Sequence, residues 1–111
     1  MKRVLFVCSR NRLRSPTAEA VFARHPDLEV DSAGLNHDAE QALTPDLVAW
    51  ADVIFVMERT HLRKLRSRFG RHLGGCRVVC LEIPDTYVYM DPALVEILEA
   101  RVPPLLGVSL R

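Results

Sequence analysis

Short runs of hydrophobic, mostly β-branched or aromatic residues recur along the chain and are separated by longer polar stretches. They predict four buried β-strands, at residues 4–8, 28–31, 53–57 and 78–83. The clearest runs are continuously apolar rather than alternating, which is typical of parallel strands covered on both faces. We therefore expect a parallel sheet between two layers of helices.

Between the predicted strands, hydrophobic residues recur at helical spacing. Three helices share a start signal, a capping side chain followed by proline: Ser15-Pro16, Thr44-Pro45 and Asp91-Pro92. The remaining helix, residues 58–69, is predicted to end at Gly70. The last helix is predicted to end at the proline pair 103–104. Alternating strands and helices with right-handed crossovers predict an α/β fold, a small doubly wound four-stranded parallel sheet with helices on both faces.

Composition favours one globular domain spanning residues 1–111, because 49% of residues are hydrophobic and 26% are charged, which excludes disorder. No stretch approaches the ~18 apolar residues of a membrane span, and the N-terminus lacks a signal-peptide cleavage site, so a cytoplasmic protein is expected. The chain has 3 cysteines and no Cys-x-x-Cys pair. This favours reduced thiols over a disulfide framework or a zinc site.

The net charge is only +1, but the charges are distributed unevenly. Residues 59–77 include no acid and are rich in arginine, whereas residues 82–99 include several acids and no lysine or arginine. This polarity can steer an anion, although a solvated helix face explains most of the arginines. Nucleic acid is disfavoured as a partner, because the basic segment carries no aromatic stacking pattern.

The loop after the first strand joins Cys8 to a helix start near Ser15, and ligands of doubly wound sheets bind at this edge. Backbone N–H groups that curl into a helix start form a nest for anions such as phosphate, and the helix dipole reinforces it. In that setting Cys8 is held as a nucleophilic thiolate. Arg14 can grip a phosphoryl group, and the Ser15 hydroxyl can donate to the sulfur. The alternative is a structural cysteine beside a solvated arginine.

Three sequence features together resemble the low-molecular-weight protein tyrosine phosphatases. These are the run Val-Leu-Phe-Val-Cys ending at Cys8, the pattern Cys-x5-Arg-Ser-Pro-x-Ala-Glu-Ala-Val-Phe that begins there, and Asp-Ser-Ala-Gly ending at Gly34. The resemblance implies a phosphatase that needs no metal or cofactor and acts through a cysteinyl-phosphate intermediate. It implies that Cys8 is the nucleophile, Asn11 shapes the loop, Arg14 grips the phosphate and Ser15 stabilises the thiolate.

The same resemblance assigns further residues around the loop. Ser32 falls on a serine that helps hold the loop asparagine in a left-handed conformation, and His37 falls on a histidine that supports the same network. Substrate-binding positions fall on the loop and on one later tyrosine: Ser9, Arg10, Asn11, Arg12, Leu13, Ser15 and Tyr87.

Two departures from the family pattern leave the substrate open. Arg10 stands where the family usually has glycine, and Arg12 adds another cation. Gly34 and His37 lie close together in sequence, where family members usually have a longer segment that supplies an aromatic wall of the pocket. Phosphotyrosine, another phosphorylated protein side chain and a small phosphate ester are therefore all candidate substrates.

Two aspartates compete as the general acid, which the family carries on a loop after the fourth strand. Asp85 directly follows the predicted strand at the carboxyl edge of the sheet, and Tyr87 follows it. Asp91 copies the family's Asp-Pro dipeptide, but it stands where the last helix needs an N-cap. We therefore favour Asp85 as the acid and Asp91 as the cap.

Two other functions use the same loop. A binding module would bind phosphate, or phosphate groups of RNA, without hydrolysing a phosphate ester. A thioredoxin-coupled arsenate reductase would need a disulfide relay, which Cys76 and Cys80 suit poorly because Cys80 lies in a predicted buried strand. The remaining histidines, His25, His61 and His72, show no metal-ligand spacing and are expected to be solvated.

Overall fold

The computed structural model describes residues 1–109. Strands and helices alternate along it in the order β1 Lys2–Cys8, α1 Arg14–Phe22, β2 Leu28–Gly34, α2 Pro45–Trp50, β3 Val53–Val56, α3 Arg59–Leu73, β4 Arg77–Cys80 and α4 Pro92–Leu106. The predicted α/β class is confirmed. Within this part of the chain, none of the helices combines the length and the apolar character needed to cross a lipid bilayer.

The sheet is parallel throughout, with its strands in the order β2-β1-β3-β4. The chain leaves β1 toward one edge of the sheet and then returns to build the other, so the order reverses at β1. Cys8, the last residue of β1, pairs with Gly34, the last residue of β2. The doubly wound arrangement is confirmed, and the strand order reverses between β1 and β3, the switch point at whose carboxyl end ligands bind in such folds.

Side chains of β1 alternate between two hydrophobic layers. Phe6 and Cys8 belong to the layer that contains α1 and α4, where the Phe6 ring lies 5.8 Å from that of Phe22. Val7 belongs to the opposite layer, with Leu65 of α3. The pleat therefore directs the Cys8 side chain toward the layer in which α1 begins.

The start of α1 differs from the prediction. The helix begins at Arg14, and its N-cap residue, Leu13, makes no side-chain hydrogen bond. Ser15 is therefore not the N-cap. Its hydroxyl is engaged elsewhere, because its oxygen lies 2.9 Å from the Cys8 sulfur.

α3 extends beyond the residue predicted to end it. The helix passes through Gly70, continues to Leu73, and ends before Gly74, whose φ of 52° favours glycine. Gly70 is exposed and costs about 1 kcal/mol relative to alanine in a helix. Burial of Phe69 against the sheet, in the layer that holds α3, outweighs that cost.

Two other boundaries also move. The proline pair at 103–104 lies inside α4, which continues to Leu106, because Val102 and Leu106 are buried in the core and their packing outweighs the lost backbone hydrogen bonds. β4 ends earlier than predicted, at Cys80. The chain stays extended beyond that point, since the Leu81 backbone N–H still donates to β3 at 2.9 Å.

The other predicted caps are present. Thr44 Oγ1 accepts a hydrogen bond from the Leu47 backbone N–H at 3.2 Å. Asp91 Oδ1 accepts one from the Ala93 backbone N–H at 3.0 Å, at the start of α4. Both side chains therefore satisfy a backbone donor that would otherwise have no partner in its helix.

Replacing Asp91 by alanine should lower the free energy of unfolding by about 0.5–2 kcal/mol, because it removes the N-cap of α4. Glu96→Ala on the same helix is the control, since Glu96 is exposed. Denaturant unfolding measures both variants. Equal losses in the two variants would contradict a specific capping role for Asp91.

Candidate active site

The loop between β1 and α1 is held by residues 35–40, which follow β2 and are called the supporting segment. The backbone N–H groups of Leu35 and Asn36 donate to the carbonyls of Cys8 and Ser9, each at 2.9 Å, and the next loop carbonyl accepts from Glu40 at 3.0 Å. Within residues 1–109, the backbone N–H groups of residues 10–13 donate to no protein group. These free donors precede the start of α1, as the predicted anion-binding nest requires.

Gly34 allows this close approach. A Cβ atom at position 34 would lie 2.5 Å from the Cβ of Ala39 and 2.6 Å from the carbonyl oxygen of Ser9. Both distances are far below van der Waals contact. Any other residue would therefore push the supporting segment away from the loop.

The Cys8 sulfur lies at the floor of the loop and is nearly inaccessible to solvent. Ser15 Oγ is 2.9 Å from it, and the same oxygen accepts a hydrogen bond from Asn11 Nδ2 at 3.0 Å. Because Asn11 occupies an acceptor site of the hydroxyl, the hydroxyl hydrogen can be donated to the sulfur at 2.9 Å or to the Ala33 carbonyl at 3.5 Å. The sulfur is the nearer of the two acceptors.

Asn11 holds the loop in its shape. Its φ of 57° lies in the left-handed region, and its amide donates to both Ser15 Oγ and Ser32 Oγ, the latter at 2.9 Å. Ser32 in turn donates to the carboxylate of Glu19, and its backbone carbonyl accepts from Gln41. The structure thus brings Ser32 to Asn11, where the sequence places it. Glu19 and Gln41 complete the network and had no predicted role.

Arg14 is buried, with only 3% of its surface exposed. Its Nη1 donates to Glu58 Oε2 at 2.7 Å and to the carbonyl of Ile83 at 2.8 Å. Both hydrogens of Nη1 are therefore used by the protein. The Nε and Nη2 edge, which can bind two oxygens side by side, makes no hydrogen bond within residues 1–109, and its Nε lies 3.6 Å from the Asp85 carboxylate.

Asp85 and Asp91 lie in different places. The Asp85 carboxylate lines the cleft and stands 3.6 Å from Arg14 Nε, which is too long for a hydrogen bond. Its side chain is 64% exposed, so it can exchange protons with water and with a ligand. Asp91 caps α4 and is not among the residues that line the cleft.

The cleft has a volume of about 610 Å³. The cleft is lined by most of the predicted loop residues, by Asp85 and by one residue that was not predicted, Asn36. The lining residues are Cys8, Ser9, Arg10, Arg12, Leu13, Arg14, Asn36 and Asp85. Asn11 and Ser15 are buried and act from beneath the loop.

Two predicted residues are not brought to the cleft. The side chain of Tyr87 is half-buried against the hydrophobic layer of α1 and α4. His37 is exposed, and no hydrogen bond within residues 1–109 joins it to Asn11 or Ser32. The supporting segment is held to the loop by its backbone, and the His37 side chain is left in solvent.

His61 contradicts the prediction that it is solvated. It is only 2% exposed, and its Nε2 lies 2.9 Å from Ser9 Oγ. Its Nδ1 accepts from the Glu58 backbone N–H at 3.1 Å, which completes a capping box at the start of α3. Burial, together with the positive charge of Arg14, lowers the pKa of His61 to about 4. The spacing of Glu58 and His61 was the one signal in the sequence that could have indicated this role.

This pKa predicts a pH dependence of stability. Between pH 6.5 and about 4 the unfolded state binds a proton at His61 that the folded state does not, so acid favours unfolding. The wild type should lose up to about 3 kcal/mol through this group, and His61→Asn should lack that component. Unfolding measured from pH 7 to pH 4 should therefore show the variant gaining relative to the wild type. The exposed His72, replaced by asparagine, is the control, and a gain of equal size in that variant would contradict the assignment.

The sequence is similar to those of known phosphatases. The family model "Low molecular weight phosphotyrosine protein phosphatase" matches residues 3–49. The low molecular weight protein-tyrosine-phosphatase Wzb of Escherichia coli strain K12 is 30% identical, over 76% of this chain and 77% of its own length. The protein-arginine-phosphatase of Bacillus subtilis strain 168 is 31% identical, over 62% of this chain and 64% of its own length.

Solved structures share the fold. The YwlE arginine phosphatase from Geobacillus stearothermophilus has a TM-score of 0.76 at 20% identity, covering 96% of this chain and 94% of that one. The tyrosine phosphatase Wzb from Escherichia coli K30, solved with phosphate, has a TM-score of 0.72 at 23% identity, covering 89% and 91%. With the sequence match to Wzb over most of both chains, these findings identify the chain as a phosphatase that belongs to the low-molecular-weight phosphotyrosine protein phosphatase family.

Proposed function

We propose that this chain is a cysteine-dependent phosphomonoesterase that removes phosphate from phosphorylated protein, with phosphotyrosine as the first substrate to test. The observation that carries the proposal is the convergence at one cleft of a thiol, free backbone donors and a buried arginine. Cys8 lies at the floor, residues 10–13 present their N–H groups, and Arg14 is held with one edge free. This set supplies a nucleophile and a site for a phosphoryl dianion.

The first chemical step forms a bond between Cys8 Sγ and phosphorus and breaks the bond between phosphorus and the leaving oxygen. Asp85, from the cleft wall, gives its proton to that oxygen. The equatorial oxygens are bound by the loop N–H groups and by the free edge of Arg14. The products of this step are the free alcohol or phenol and the cysteinyl phosphate.

The second step hydrolyses the cysteinyl phosphate. The Asp85 carboxylate takes a proton from water as the water oxygen attacks phosphorus, and the sulfur–phosphorus bond breaks. Cys8 leaves as a thiolate, which the Ser15 hydroxyl stabilises at 2.9 Å. Inorganic phosphate is released, and Asp85 is again protonated for the next cycle.

The rim of the cleft is basic. Arg10 and Arg12 are both exposed, and Arg12 lies 3.4 Å from Glu40, which offsets part of its charge. Among the described residues Arg10 forms no salt bridge, so it is the freer cation. We therefore expect phosphopeptides with acidic neighbours to be preferred substrates.

Acidic phosphopeptides should have a KM about 2- to 5-fold lower than lysine-flanked ones, which is the size of exposed charge pairs. Arg10→Ala should reduce this preference, and added salt should reduce it too. Arg66→Ala is the control, because Arg66 is exposed on α3 and is not a cleft residue. Steady-state kinetics on matched peptides measures the ratio. A preference unchanged in Arg10→Ala would contradict the role of the rim.

A disulfide relay of the arsenate reductase type is disfavoured by the sheet. Val56 of β3 pairs with Val7 on one side and with Cys80 on the other. Cys80 is thus two strand spacings, roughly 10 Å, from the end of β1 that carries Cys8. Cα atoms joined by a disulfide lie within about 7 Å. The third cysteine, Cys76, precedes β4 at the opposite end of the sheet.

The test of the proposal is hydrolysis of p-nitrophenyl phosphate by the wild-type protein in the presence of EDTA. We expect turnover that EDTA does not reduce, with millimolar inorganic phosphate acting as a competitive inhibitor. If the protein binds phosphate but does not hydrolyse p-nitrophenyl phosphate at any pH from 4 to 8, the result would instead favour a non-catalytic phosphate-binding module. Phosphopeptides of tyrosine and of arginine, compared at equal concentration, then identify the side chain that is preferred.

A further inference from the structure

His61 joins the start of α3 to the phosphate-binding loop through both of its ring nitrogens. Nδ1 accepts a hydrogen bond from the Glu58 backbone N–H, so Nδ1 carries no hydrogen. In a neutral imidazole the single hydrogen must then be on Nε2. Nε2–H therefore donates to Ser9 Oγ, which lies 2.9 Å away.

The protonation state of the ring supports this direction. A pKa of about 4, set by burial and by the nearby Arg14 cation, keeps His61 neutral throughout the neutral pH range. A protonated ring could not accept from Glu58 at Nδ1. The neutral ring is therefore compatible with the capping box at α3, and the capping box selects the tautomer with its hydrogen on Nε2.

Ser9 is the residue on which this tautomer acts. Its oxygen accepts from His61, so its own hydroxyl hydrogen remains free to donate. Within residues 1–109 that hydroxyl makes no other hydrogen bond. Ser9 also lines the cleft with Cys8 and Arg14, where a bound phosphoryl group would provide acceptor oxygens.

We propose that His61 is a positioning residue that turns the Ser9 hydroxyl hydrogen into the cleft, where Ser9 donates to a phosphoryl oxygen. The inference rests on the proposed phosphate-binding role of the loop. It adds a neutral side-chain donor to the backbone N–H groups and to Arg14. It also links phosphate affinity to the start of α3, because one ring serves both the helix cap and the loop.

Two substitutions at position 61 separate the helix cap from the loop contact. Asparagine places its amide oxygen near the position of Nδ1, so His61→Asn keeps an acceptor for Glu58 and loses the donor to Ser9. Glutamine places its amide nitrogen near the position of Nε2, so His61→Gln keeps the donor and loses the acceptor. Ser9→Ala removes the hydroxyl itself, whereas Ser9→Thr retains it.

The experiment measures binding of inorganic phosphate to the whole chain by calorimetry, with chemical unfolding of each variant alongside. We expect Ser9→Ala and His61→Asn each to raise the Kd of phosphate about tenfold, the size of one hydrogen bond to a charged group. The double variant should be no weaker than Ser9→Ala alone, because His61 acts through Ser9. Ser9→Thr and His61→Gln should bind phosphate nearly as the wild type does, although His61→Gln loses stability.

Three results would overturn the proposal: wild-type phosphate affinity in His61→Asn, wild-type affinity in Ser9→Ala, or additive losses in the double variant. A loss of affinity in His61→Gln equal to that in His61→Asn would also overturn it, because the cap would then be the cause. Failure of the proposed function is distinguishable, since it appears as wild-type protein that binds phosphate without hydrolysing p-nitrophenyl phosphate.

Discussion

Replacing Cys8 by serine should lower turnover of p-nitrophenyl phosphate by about 10⁴-fold or more, the scale expected when a catalytic nucleophile is removed. Serine has nearly the same size, and Cys8 is buried at the end of β1, so the fold should persist. Binding of phosphate should also persist, because the loop N–H groups and Arg14 are unchanged. The loss should therefore fall on kcat, with a small change in the inhibition constant of phosphate.

Cys76→Ser is the matched control for this variant. Cys76 is half-exposed and lies just before β4, outside the cleft, and burial raises the pKa of its thiol. Its replacement should leave turnover unchanged. If Cys8→Ser retains wild-type activity while its unfolding curve is unaltered, a nucleophile other than Cys8 carries the reaction.

Asp85→Asn should lower turnover of an alkyl phosphate or a phosphopeptide by about 10²- to 10⁴-fold, the usual contribution of a general acid. The reduction should be much smaller for bond cleavage in p-nitrophenyl phosphate, because p-nitrophenolate leaves without a proton. Stability should change little, since the Asp85 side chain is exposed and its distance to Arg14 is 3.6 Å. The kcat/KM values for leaving groups of graded basicity measure this difference, because kcat in this variant also includes hydrolysis of the intermediate, which needs Asp85 as the base.

Asp91→Asn is the control for the acid, because asparagine caps a helix about as well as aspartate does. It should leave both turnover and stability near those of the wild type. If Asp91→Asn instead abolishes turnover in a stably folded protein, and Asp85→Asn remains active on alkyl phosphates, the two roles are reversed.

The nucleophile loop is the part of the site that the sequence predicts most completely. A buried strand that ends at Cys8 and a helix that begins near Ser15 are local patterns, and the residues between them must form the turn at the edge of the sheet. Arg14 follows from its position in that turn, whereas the role of Asn11 follows only from the family resemblance. Asp85 follows from the fourth strand, because parallel strands end at the same edge.

The parts that the sequence does not predict depend on contacts between distant segments. His61 was expected to be solvated because it shows no metal-ligand spacing, but the start of α3 packs it beneath Ser9. His37 was expected in the network because residues 37–41 resemble a stretch of the family that has a histidine at this position. The backbone bonds of the supporting segment leave its side chain outside.

Ser15 shows a conflict between two local interpretations. A serine before proline is a strong N-cap signal, and the same hydroxyl was also expected to stabilise the thiolate. One hydroxyl cannot do both here, and the structure places it 2.9 Å from Cys8 with Asn11 on its other side. α1 therefore begins two residues earlier than predicted and without a side-chain cap, so its first N–H groups remain available to an anion.

The most direct test of the account is to trap the intermediate. Asp85→Asn protein is mixed with p-nitrophenyl phosphate, quenched rapidly, digested and analysed by mass spectrometry. With this leaving group, formation of the intermediate needs no acid. Hydrolysis of the intermediate, however, needs Asp85 as the base. We therefore expect one phosphoryl group to accumulate on the peptide that contains Cys8. A phosphoryl group on any other residue, or turnover of p-nitrophenyl phosphate with no burst and no covalent intermediate, would contradict it.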